Sequence, residues 1–194
     1  MKMVEAFDVD MRVIEKSFAK ADDFVRYDAE MARRMDLSEE TRKWLSEMGL
    51  PTGMVLMCRF NGRIRRLGSG EAGDYQVRMR GGEKMRRGMC VIGHHEGELI
   101  CLNEGEENRV WLMDRDWQEK PRLFGSDVGK LVELLAIYVQ YRRRVMGLSG
   151  FERKGIAVRM GNWMKVTDVG AFEGTRGEET VWECITRQMI EGSL

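Results

Sequence analysis

Two neighbouring stretches constrain this chain more than any others: Val91-Ile-Gly-His-His-Glu-Gly-Glu-Leu-Ile-Cys-Leu102 and Arg109-Val-Trp-Leu-Met113. The first reads as two apolar strands joined by a polar turn bracketed by Gly93 and Gly97, and the second as a third strand centred on an aromatic residue. Branched side chains such as Val91, Ile100 and Val110 suit a pleated, partly buried surface. A chain built around such a run carries an antiparallel meander as its scaffold.

Helical segments flank this strand-rich middle. Residues 9–35 place Met11, Ile14, Phe18 and Ala21 at helical spacing, and a second turn or helix is expected through Phe24, Tyr27 and Met31. Ser38-Glu-Glu-Thr41 opens a clearer helix, with Ser38 as N-cap, Trp44, Leu45 and Met48 on its apolar face, and Gly49 and Pro51 at its end. An apolar run over 54–60 followed by Asn61-Gly62 predicts a hairpin, with Arg63 to Leu67 returning. Tyr75 to Met79 alternates like a strand, and Gly81-Gly82 turns the chain into the central run.

The stripe Val128, Leu131, Leu134, Leu135, Tyr138 and Val139 predicts a helix over 126–145, capped by Ser126 or Asp127 and closed by Arg142-Arg-Arg144. After a glycine-bearing linker over 147–155, residues 158–166 are expected to hold a short strand with Trp163. Residues 180–190 read as a last helix ended by Gly192. Helices, then antiparallel strands, then helices make an α+β pattern and not an α/β one. The expected organisation is an N-terminal helical segment over 1–37, a core over 38–146, and an extension over 147–194 packed on the same domain.

Charge narrows the function classes. The formal net charge is zero although a third of the residues are charged, which does not indicate a globally basic nucleic-acid binder. No stretch approaches the about 20 apolar residues that span a bilayer. The start, Met1 to Asp8, turns acidic at once and lacks a signal-peptide core, so a cytoplasmic protein is expected. Cys58, Cys90, Cys101 and Cys184 form no CxxC pair and lie near no histidine at ligand spacing. The first three sit in apolar runs as small buried hydrophobes. No metal, no cofactor and no catalytic residues are expected, because no nucleophile–base pair, carboxylate pair or metal motif stands out.

Three blocks, in this order, resemble the SUKH superfamily, which includes yeast cell-wall-synthesis regulators and bacterial toxin-immunity proteins. They are Thr41 to Pro51, ending in Gly-Leu-Pro; Val91-Ile-Gly93 with Glu98 to Leu102 and Val110-Trp111; and Phe124 to Tyr138, a Ser-bearing helix entry. Together they cover roughly 38–146. The sequence departs from the pattern at Gly125, Val128 and Gly129, where bulkier or more polar residues are expected. The resemblance implies a twisted antiparallel sheet of about five to six strands packed by helices. It also implies a non-enzymatic protein that binds a polymorphic toxin, often a nuclease. A regulatory interaction module of the same fold is the alternative.

Candidate contact residues follow from type and placement. Trp117, in a polar loop, is the expected exposed contact, with Asp114, Arg115 and Asp116 beside it; Trp111 belongs to the core or to the same set. Glu96, Glu98, Glu104, Glu106 and Glu107 lie nearby in sequence and suit a basic nuclease surface if they share a face. His94-His95 is expected in a solvent-facing turn. Between residues 59 and 88, Arg63, Arg65, Arg66, Arg78, Arg80, Arg86 and Arg87 outnumber the acids. They form either a nucleic-acid patch or a set of solvated positions, and the shortage of aromatics favours the second. Neither a membrane nor a nucleic acid is the expected partner.

Overall fold

The computed structural model describes residues 14, 17–18, 24–52, 56–66, 88–104, 108–115, 119–174 and 178–193, the side chains of Asn61, Arg65 and Arg66 excepted. The expectations placed on Met11, Ala21, Tyr75 to Met79 and Gly81-Gly82 lie outside these residues. The chain divides into two compact units, one of residues 22–131 and one of residues 1–21 with 132–194.

The unit of residues 22–131 opens with β1 (Phe24–Val25), α1 (Ala29–Arg33) and α2 (Glu39–Lys43). Phe24 is therefore extended and not helical: it pairs antiparallel with β2 (Leu50–Pro51), Phe24 opposite Pro51 and Val25 opposite Leu50. Helix α2 starts at Ser38, whose side chain accepts from the Thr41 amide, and widens into a π turn over Trp44–Met48. Gly49 ends it at φ 87, ψ 169, a region essentially reserved for glycine. That reversal turns the buried Leu50 into β2.

The main sheet is a five-stranded meander in the order β3 (Cys58–Arg66), β4 (Met89–His95), β5 (Glu98–Asn103), β6 (Val110–Met113) and β7 (Arg122–Gly125), and every neighbouring pair is antiparallel. Asn61-Gly62 does not make the expected hairpin. Both residues lie inside β3, in an irregularity between Phe60 and Arg65, and Gly62 takes φ 68. A Cβ there would stand 2.6 Å from Val25 Cγ2, so the positive φ that signalled a turn here serves a bulge pressed against β1.

The turn between β4 and β5 is also shorter than expected. It is the pair Glu96-Gly97, both at positive φ, and His94 and His95 are strand residues. Their polarity concealed that β4 keeps pairing, His94 with Leu99 and His95 with Glu98.

Alternation along the sheet sends Met89, Val91, Leu99, Cys101 and Met113 into one cluster, with Trp111 packed against it. The residues that alternate with them (Ile100, Leu102, Val110 and Leu112) are buried as well. Burial on both faces explains why the central run is continuously apolar and does not alternate with polar residues. Helix α3 (Val128–Val145) begins in this unit and continues into the other. Asp127 is its cap, since the Lys130 amide donates to Asp127 Oδ1 at 2.7 Å.

In the second unit the continuation of α3 carries buried Val132, Leu134, Leu135, Ala136 and Tyr138. Gln140 Nε2 donates to Ser17 Oγ at 2.9 Å, and Ile14, Ser17 and Phe18 are buried. Residues 158–166, expected as a strand after a linker, belong instead to α4 (Gly150–Thr167). Ser149 and Glu152 form a reciprocal capping box that starts this helix just after Gly147, and the cap overrides the glycines. A short 3-10 turn (Gly170–Phe172) leads to α5 (Val181–Glu191), capped by Thr180 and Glu183 and ended by left-handed Gly192. Trp182, Ile185 and Met189 are its buried face, as their spacing predicts.

Candidate partner-binding surface

The strand register separates the acidic candidates into two groups. Glu96 is in the β4–β5 turn, Glu98 opens β5, and Asp114 and Arg115 follow the end of β6, whose Met113 pairs with Leu99. These four residues gather at one end of the sheet, where Arg115 Nη2 lies 3.3 Å from His94 Nδ1. Glu104 follows the opposite end of β5. A six-residue strand step puts it about 20 Å from Glu98, so these acids do not form one continuous patch. Trp117, Asp116, Glu106, Glu107, Arg78, Arg80, Arg86 and Arg87 lie outside the described residues. Arg63 is exposed on β3, where Arg65 and Arg66 also fall.

Charge at the sheet end is partly spent within the protein. Arg122 Nη2 donates to Glu98 Oε2 at 2.6 Å. Beneath this pair, His95 is buried and stacks on Phe124 with ring centroids 5.8 Å apart. Cys58 Sγ lies 3.8 Å from His95 Nδ1. Burial pulls the imidazole below its ordinary pKa and Arg122 adds to this, against the opposing pull of Glu96, Glu98 and the Leu56 carbonyl. Burial, helped by the charge of Glu96, pushes the Cys58 thiol far up. A thiol held protonated beside an uncharged imidazole is poorly suited to nucleophilic chemistry. Among the described residues no group of three or more His, Cys, Asp or Glu could hold a metal ion, and no helix is long and apolar enough to cross a membrane.

Two polar anchors escaped sequence reasoning. Tyr27 donates its hydroxyl to the Ile92 carbonyl at 2.6 Å. Asn108, in left-handed conformation, joins the β5–β6 connection to the start of α2: its Oδ1 accepts from the Ser38 amide at 2.5 Å, and its Nδ2 donates to the Asp36 and Asn103 carbonyls. Nothing local marks Asn108 as buried, although its tolerance of positive φ hinted at a turn.

A meander followed by a helix, entered through the Gly49 reversal, is the arrangement that the three resembling blocks imply. The family model described as SUKH-4 immunity protein matches residues 9–188. The chain belongs to the SUKH-4 immunity protein family. No curated protein and no solved structure matches it. The match takes this SUKH-4 protein well beyond the three blocks and includes α4 and most of α5. An immunity role and a toxin as partner therefore attach to the chain as a whole.

Proposed function

We propose that this SUKH-4 protein acts in the cytoplasm by binding a cognate polymorphic toxin, a nuclease, and blocking it sterically and electrostatically without catalysis. The observation that carries this reading is the family match over residues 9–188. The protonated thiol and uncharged imidazole at the sheet end are consistent with a binder and give no support to an enzyme. Glu96, Glu98, Asp114 and Arg115 are the part of the proposed contact set gathered in one place.

The test is co-expression with candidate polymorphic-toxin domains from the same genome. Growth restored by the SUKH-4 protein, a one-to-one complex on gel filtration, and nuclease activity suppressed in proportion to added protein are the expected results. Growth arrest that the protein relieves for none of these domains would count against the immunity reading. Intact suppression of a toxin with no nuclease activity would remove only the nuclease assignment.

A further inference from the structure

Helix α4 carries apolar side chains on two opposite sides. On one side Ala157, Met160 and Met164 are buried, and Gly161 leaves only 3.0 Å between a would-be Cβ and the Thr186 methyl of α5. Half a turn around the helix, Phe151, Val158 and Val166 stand on either side of exposed Asn162, each within about 40° of it on a 3.6-residue repeat. They are 90%, 44% and 66% exposed. A surface helix needs a single apolar stripe to join its own core, and a second, exposed one marks an interaction surface.

Two further observations describe what fits there. Gly155 lies on the outer face between Phe151 and Val158, and a Cβ on it would meet nothing within 4 Å. A glycine inside a helix costs stability relative to alanine. On the inner side Gly161 offsets that cost by close approach to α5, whereas Gly155 has no such neighbour among the described residues. The outer face is also bordered by exposed Lys154 and Lys165 on one flank and Arg159 on the other. The one acid in α4, Glu152, is engaged by Ser149. Like charge on both flanks disfavours pairing with a second copy, and its complement is an apolar ridge edged by carboxylates.

We infer that the outer face of α4 is the docking site for an acid-edged apolar ridge of the cognate toxin, with Gly155 taking the closest approach; this inference rests on the immunity reading above. Phe151 and Val158 are the apolar anchors, and the basic flanks set orientation and speed encounter.

The experiment is calorimetric titration of the full chain with the toxin domain that the co-expression test identifies, catalytically inactivated. Val158→Glu is expected to weaken binding about thirty-fold or more. Gly155→Leu is expected to weaken it while raising the thermal midpoint of the free protein, since leucine is the better helix former, an effect opposite to that of a damaged fold. Lys154→Glu with Arg159→Glu is expected to weaken binding and flatten its salt dependence.

Undiminished binding by Val158→Glu and Gly155→Leu, both folded by circular dichroism, would overturn the α4 site and leave the immunity reading standing. Loss of binding on Glu96→Lys together with undiminished binding by Val158→Glu would confine the toxin to the sheet end and overturn the α4 site equally. Absence of binding by the unmodified protein would overturn the immunity reading and the docking site together. A free dimer that Val158→Glu converts to a monomer would assign the face to a second copy and overturn the toxin assignment.

Discussion

At the scale of single residues, Asn108 and His95 show how polar groups hold the sheet unit together. Asn108 satisfies three backbone groups from a buried position. Asn108→Ala orphans the Ser38 amide and two carbonyls and is expected to cost about 3 kcal/mol, read from urea unfolding. His95 makes stability depend on pH. Its folded pKa is below its ordinary value, so between the two values the unfolded chain binds more protons than the folded one. Stability is complete above about 6.5, the ordinary value, and is lost as pH falls from there towards the folded pKa. Denaturation midpoints at pH 7.5, 6.5 and 5.5 are expected to fall in that order, and His95→Phe is expected to flatten the trend. Residue type alone could not have shown this burial, because a histidine next to a glycine-bearing turn and another histidine has the composition of a loop. Only the pairing with β3 and β5 turns it inward.

At the scale of elements, caps were legible and irregularities were not. The Ser38 cap, the Gly192 stop and the apolar stripes of α3 and α5 are local signals, and each appears where the sequence places it. Asn61-Gly62 and residues 158–166 misled for opposite reasons. In the first, a positive-φ glycine serves a bulge against Val25. In the second, a helix with apolar side chains on two sides lacks the single stripe that marks amphipathic helices, and its capping box was the better guide. Ser149→Ala is expected to cost about 1 kcal/mol and to lower helicity measurably by circular dichroism. Gly49→Ala forces a side chain into a region that favours glycine and towards the Val25 carbonyl, 2.9 Å from the new Cβ. It is expected to cost about 2 kcal/mol in thermal or urea unfolding. The small residue at 129 has a similar explanation: a Cβ there would lie 2.5 Å from Trp44 Nε1, so the indole takes the volume that a bulkier residue would fill.

At the scale of the whole molecule, the α+β class and the antiparallel meander were legible because each rests on runs of several residues. The placement of the acidic candidates was not, because Glu98 and Glu104, close in sequence, fall at opposite ends of one strand, and the exposed side chains of α4 share a face only once that segment is helical. Binding couples to stability. A toxin domain supplied at one hundred times its Kd is expected to raise the unfolding free energy by about 2.7 kcal/mol, seen as an upward shift of the melting transition that vanishes when binding is abolished. The meander carries a kinetic consequence as well. Each strand of the main sheet pairs with its neighbour along the chain, so β4, β5 and β6 can zip together with little chain entropy lost at each closure. Topology of this kind speeds folding, and for an immunity protein that speed shortens the interval after synthesis during which a cell stands unprotected.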